Sequence, residues 1–177
     1  MSTRRHYKNS MADIVQVPDS RRAFIDTLCE LAQKDDKIIL IIPDVGFNYV
    51  EKFSAMFPER YFNFGIAEQA VMIIAAGLAI AGFKPYVYSM ANFVIFRPYE
   101  MVRNAICMHN ADVKILGVKG TQYSFYGFSH NFIRENEDIE TLEKMPNMKT
   151  YITETPEEVR KIILETYATK NPTYIRI

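Results

Sequence analysis

The sequence predicts a three-layer α/β/α domain built on a mostly parallel sheet. Three observations carry that expectation. Short β-rich runs alternate with amphipathic segments from about residue 20 to the last residue. The alternation holds one strand and one helix per unit, the pattern of crossover-connected parallel strands. One helical segment is apolar on every side, as expected of a helix packed on all faces.

Taken in order, residues 1–19 are polar and weakly periodic and read as an N-terminal arm, with one domain over 20–177. "RRAFIDTLCELAQ" places Phe24, Leu28 and Leu31 on one helical face, with Ser20 or Asp19 as N-cap. "KIILII" (37–42), "YFNF" (61–64), "KPYVYSM" (84–90), "VKILGVK" (113–119), "KTYIT" (149–153) and "TYIRI" (173–177) read as strands. "YVEKFSAMF" is a short helix, and "AEQAVMIIAAGLAIAG" is the all-apolar one. "RPYEMVRNAICMHN" and "PEEVRKIILETYAT" are amphipathic helices, the second with Pro156 in its first turn.

At 177 residues the chain suits one domain with a sizeable core. The formal net charge is zero, so bulk charge gives no reason to expect nucleic acid or an anionic membrane as partner. The positively charged N-terminus has no apolar run behind it and does not read as a signal peptide. The apolar stretch from Ala70 to Phe83 is shorter than the roughly 20 residues of a membrane span. Cys29 and Cys107 lie far apart with no CxxC, which supports neither a metal site nor a disulfide framework. A reducing cytoplasm is the simplest setting.

In open α/β sheets, sites form outside the carboxyl ends of the strands. The segments following strands are "PDVGFN", "GIAEQ", "ANFVIF" and "GTQYSFYGFSHN", and they are expected to converge on one edge. Glu68 is the single charge between Phe64 and Phe83. It reads either as a first-turn acid behind an N-cap at Gly65 or as a reagent. A helix N-terminus favours its charged form and apolar burial its neutral one, a balance suited to proton exchange. Phe93, Phe96 and Tyr99 recur at i, i+3 and i+6, as a core stripe or as a platform for a flat heterocycle. His130 sits among aromatic and polar residues, as a surface histidine or as a proton carrier or oxyanion donor. Asp44 after Pro43 reads as a turn residue, and Arg97 and Arg103 as charges solvating a helix face. No GxGxxG, GxxxxGK[ST] or GxSxG string and no His/Cys metal spacing occurs, so the chain looks incomplete as a lone enzyme.

"ERYFNFGIAEQAVMIIAAGLAIAGFKPYV" resembles the pyrimidine-binding (Pyr) domain of transketolase and its thiamine-diphosphate relatives, and the likeness runs from about Ser20 to Ile177. The string is closer to transketolase and deoxyxylulose-phosphate synthase than to the β-subunits of oxo-acid dehydrogenases. The resemblance implies the thiamine-diphosphate-binding fold. It implies that Glu68 hydrogen-bonds N1′ of the cofactor's aminopyrimidine, favouring the imino tautomer that removes the thiazolium C2 proton. The ylid so formed attacks a ketose carbonyl. The family's F-x-x-F-x-x-Y aromatic wall matches Phe93, Phe96 and Tyr99, and Ile66 joins the cofactor contacts. The family's GxTH segment aligns with "GFSH", placing Gly127 at the turn and His130 toward substrate, while Asp44 is a looser match to an acid after the first strand.

Departures from the family accompany these matches. An acid that reads a sugar hydroxyl is replaced by Tyr126, and a phosphate-facing histidine by Val118, which points away from a standard phosphosugar. The GDG…N segment that binds Mg²⁺ and the diphosphate has no counterpart here, nor has the C-terminal domain. The resemblance therefore implies a Pyr-domain subunit of a split enzyme transferring a two-carbon ketol unit between sugars. Its thiamine diphosphate and Mg²⁺ would be held mainly by a PP-domain partner in an α₂β₂ tetramer. Another carboligase or oxo-acid reaction, a non-catalytic homologue, and an excised fragment are the alternatives.

Overall fold

The computed structural model describes residues 19–120 and 129–177. The arm assigned to 1–19 therefore lies outside the described residues except for Asp19. Among the described residues six parallel strands form one sheet in the order β2-β1-β3-β4-β6-β5. They are β1 (Ile38–Ile42), β2 (Tyr61–Asn63), β3 (Lys84–Met90), β4 (Lys114–Val118), β5 (Lys149–Ile152) and β6 (Thr173–Arg176).

Because successive strand side chains point to opposite faces, each strand feeds two cores. Ile38, Leu40 and Ile42 of β1, with Tyr86 and Tyr88 of β3, pack against α1 (Ser20–Ala32), α2 (Glu51–Met56) and α7 (Pro156–Tyr167). Ile39 and Ile41, with Val87 and Ile115, pack against α3 (Glu68–Ile80), α4 (Ala91–Ile95) and α6 (Glu137–Leu142). The result is the three-layer arrangement expected. Sheet strands buried on both faces read as continuous apolar runs, of which "IILII" is the clearest.

Helix starts follow local chemistry. Asp19, not Ser20, caps α1, its carboxylate accepting from Arg21 N at 2.9 Å. Thr155 and Glu158 form a reciprocal capping box on α7, with Pro156 in its first turn. Two expectations change. The helix expected over 97–110 is interrupted: α4 ends before Pro98, α5 (Tyr99–Met101) is a single turn, and Val102–Cys107 winds as a π-helix. Pro98 has no N–H to continue the ladder and excludes Arg97 from the helical region. Nor is α3 covered on all sides, since Ile73 and Ile80 stand exposed on one face with Gln69, Ala70 and Gly77. Among the described residues no helix is long and apolar enough to cross a membrane.

Candidate functional site

The sheet reverses direction at β1: the chain leaves β1 for β2 on one side and returns to β3 on the other. The connections after β1 and β3 diverge there and open a crevice at the carboxyl edge. A cleft of about 390 Å³ lies at that point, lined by Asp44, Gly46 and Phe47 after β1, Ser89 and Met90 of β3, and Phe93, Val118 and His130. Arg21 and Tyr49 complete its wall. The volume falls in the range of small-molecule sites. Gly46 is required at the cleft floor: φ is +92°, and a Cβ there would come within 2.8 Å of the Tyr88 ring.

Asp44 is more than a turn residue in geometry. It holds φ at +54°, a left-handed conformation that aspartate tolerates, and its N–H donates to Asn63 Oδ1 at 3.2 Å. The same oxygen accepts from Gly65 N at 2.9 Å. Asn63, which no motif in the sequence singles out, thus ties the loop after β1 to the loop after β2.

Glu68 is the first residue of α3 and is 7 % exposed. Ala67 rather than Gly65 occupies the N-cap, because a turn closed by Ala67 N on Gly65 O (2.8 Å) delays the helix start. No side chain caps this end, so the carboxylate faces the positive end of the helix dipole. Its Oε1 accepts from Arg97 Nη1 at 2.5 Å. Among the described residues Oε2 accepts no hydrogen bond. Arg97 does not merely solvate a helix face, as its spacing suggests; Arg103 does, bonding its neighbour Asn104 at the surface. Glu68, Ile66, Gln69 and Arg97 line a second, shallower cleft.

The aromatic triplet divides. Phe93 is buried, with the Arg97 guanidinium 3.8 Å above its ring and the His130 ring edge-on at 4.6 Å. Phe96 and Tyr99 stand 36 % and 37 % exposed, Phe96 meeting Phe132 edge-on at 6.4 Å. The single helical face expected for the three is broken at Pro98. Ser129 Oγ lies 2.7 Å from His130 Nδ1. Gly120 makes that placement possible, since a Cβ would collide with the His130 carbonyl and the Asn131 side chain. Burial, then the nearby Arg97 charge, lowers the His130 pKa from its ordinary 6.5. Tyr126 and Gly127 lie outside the described residues.

Asp44, Phe93 and His130 thus line one cleft and Ile66 and Glu68 the other, with Arg97 over Phe93 joining the two, while Phe96 and Tyr99 line neither. A family model described as the pyrimidine binding domain of transketolase matches residues 16–177. The chain belongs to this family. This transketolase pyrimidine-binding domain is 33 % identical over 159 residues to one subunit of an apulose-4-phosphate transketolase from Phocaeicola vulgatus, covering 89 % of the chain and 50 % of that protein. It is 31 % identical over 173 residues to 1-deoxy-D-xylulose-5-phosphate synthase of Glaesserella parasuis, covering 97 % of the chain and 27 % of the synthase. A solved structure described as a split gene transketolase, inactive beta4 tetramer, superposes with a TM-score of 0.78 at 34 % identity, over 89 % of this chain and 50 % of that one. The pyrimidine-binding domain therefore spans about half the length of the apulose-4-phosphate transketolase relative and about a quarter of the synthase.

Proposed function

We propose that this domain receives the aminopyrimidine half of thiamine diphosphate in a split, transketolase-like enzyme that moves a two-carbon ketol unit between sugars. One observation carries the reading: a buried carboxylate at a helix N-terminus, fixed through Oε1 and, among the described residues, unbonded at Oε2. An unbonded carboxylate oxygen is an acceptor, and it fits a ring nitrogen that donates its proton. Glu68 would hold that proton at N1′, with Ile66 and the exposed rings of Phe96 and Tyr99 as apolar contacts and Phe93 behind them. When bound, the cofactor supplies the nucleophilic carbon of the reaction. His130 would hold or release a proton at the oxygen of the reacting carbonyl. Asp44 would join the cofactor contacts, and Tyr126, outside the described residues, would face the sugar with His130.

The diphosphate is a different matter. Among the described residues no three His, Cys, Asp or Glu side chains cluster to hold a metal ion. We assign Mg²⁺ and the diphosphate to a PP-domain partner subunit, in an α₂β₂ tetramer with sites at the interfaces. Support comes from the exposed apolar residues Ile66, Ile73 and Ile80 around α3, with exposed Phe96, Tyr99 and Met108 on or beside the 99–107 segment that packs against it, and from the likeness to one subunit of a transketolase. Two free, buried cysteines suit a cytoplasmic setting. The likeness to a synthase over 97 % of the chain favours a second reading, carboligation from an oxo-acid donor.

Calorimetric titration with thiamine diphosphate and Mg²⁺ tests the split-site reading. The chain alone is expected to show no micromolar binding, and the chain with a partner carrying the GDG…N segment is expected to show it. Micromolar affinity of the chain alone, about −8 kcal/mol, would overturn the reading. Feeding the complex a ketose or an oxo-acid donor separates the two reactions.

A further inference from the structure

We infer that Arg97 is a positioning residue shared by the site's two acid–base candidates, coupling the charge of Glu68 to the protonation of His130. The assignment rests on geometry. One guanidinium bonds Glu68 Oε1 at 2.5 Å and lies 3.8 Å above Phe93, whose ring meets His130 edge-on at 4.6 Å. The arginine is itself held. Pro98 keeps it out of the helix, its N–H bonds Asn92 O at 3.4 Å, and its carbonyl accepts from Gln69 Nε2 at 3.3 Å. Asn92 in turn donates to the carbonyl of Asn131, beside His130. Glu68 on α3, Arg97 after α4 and the His130 segment are therefore tied into one assembly.

The electrostatics run in a definite direction. A guanidinium opposes a second positive charge on His130, in the sense of the lowered His130 pKa. Glu68 offsets part of that guanidinium charge, so removing the carboxylate strengthens the opposition. Removing the guanidinium releases it. Among the described residues the other charged or titratable groups lining the cleft with His130 are Arg21, Asp44, Tyr49 and Tyr88, and none of them is bonded to Glu68. The inference adds to the proposed function the residue that sets Glu68 and His130 relative to each other, but its test needs no cofactor.

The experiment is a histidine ring titration by NMR on the full chain. His6 and His109, the other two histidines, serve as internal references. The variants are Arg97→Met, Arg97→Lys, Glu68→Gln and the double variant Arg97→Met/Glu68→Gln. Arg97→Met is expected to weaken His130 acidity on the order of two- to fivefold, the size of one screened charge at short range. Arg97→Lys, which keeps the charge, restores most of it, and Glu68→Gln alone moves it the opposite way. In the double variant the Glu68→Gln shift is smaller than in the wild-type background, because only the carboxylate's own direct field at His130 is then lost. An unchanged His130 titration in Arg97→Met with native circular dichroism would overturn the inference. So would equal Glu68→Gln shifts with and without the arginine. Failure of the thiamine-diphosphate reading would leave these titrations intact.

Discussion

The His130 ring meets Phe93 edge-on, with centroids 4.6 Å apart. That contact sets a histidine against the same buried ring that the Arg97 guanidinium covers at 3.8 Å. Burial first, and then that charge, oppose protonation and lower the ring's pKa from its ordinary 6.5. The sign follows directly: a proton binds the unfolded chain more tightly than the folded one. The associated stability is present above pH 6.5 and lost as pH falls through the folded midpoint. Activity of the assembled enzyme is expected to fall over the same acidic range. His130→Ala should lower kcat more than it raises KM, by roughly 10²–10⁴-fold. A change confined to KM would assign His130 to binding alone.

Glu68→Gln should leave the fold intact. The amide keeps the volume of the side chain, and the ion pair it removes has a half-exposed partner, Arg97. Such pairs contribute about 0–1 kcal/mol. The proposed proton-holding role at N1′ would disappear, so exchange of the cofactor's C2 proton is expected to slow roughly 10²–10⁴-fold. Wild-type exchange by the Gln variant in the assembled complex, followed by quenched-flow NMR, would refute that role.

A second network anchors the segment carrying His130 from below. Asp138, fully buried in α6, accepts from Tyr174 Oη at 2.6 Å and from Arg176 Nη1 at 3.0 Å. Arg176 also donates to Asn136 Oδ1 at 2.7 Å, and its guanidinium lies 5.9 Å from the Phe132 ring centroid. Removing one partner of a buried pair leaves the other charge without compensation. Asp138→Ala should destabilise the chain by about 3–5 kcal/mol, read as a lower urea midpoint with an unchanged slope. A midpoint within error of wild type would show that Arg176 finds another partner.

The strands are legible because a parallel sheet covered on both faces is written as apolar runs; "KPYVYSM" predicts a strand over 84–90, and β3 spans those residues. Glu68 is legible for a related reason, being a lone charge in an apolar string. Its partner is not, because Arg97 lies 29 residues away and ordinary spacing places an arginine in solvent. The break before Tyr99 is readable in principle: Pro98 excludes Arg97 from a helix, yet the apolar period across 97–110 argues for an unbroken one. Arg21 is hidden by topology. A helix that precedes its strand in an α/β unit runs back along it, so its first turn lies at the strand's carboxyl edge. Arg21 and Glu68 both occupy first turns and both reach that edge.

The placement of Arg21 bears on substrate. Val118 and Tyr126 in place of a histidine and an acid suggest a site that has lost phosphate recognition. Val118 does line the cleft, and a valine offers a phosphate nothing. The same wall, however, holds Arg21, its guanidinium 4.3 Å above the Tyr49 ring and bonded to Asp19 at 3.2 Å through both Nε and Nη2. Asp19 also accepts from Tyr49 Oη at 2.5 Å, so the arginine is pre-oriented rather than free to wander. A fixed guanidinium at the rim of a cleft is a ready partner for a sugar phosphate. Arg21→Gln is therefore expected to raise KM for a phosphorylated ketose about tenfold or more while kcat holds, because such a contact is made equally in ground and transition states. The KM for the same ketose without phosphate should stay within about twofold. Equal changes for both substrates would mean that Arg21 only supports Tyr49 and the helix cap, and that the cleft discriminates sugars without reading their charge.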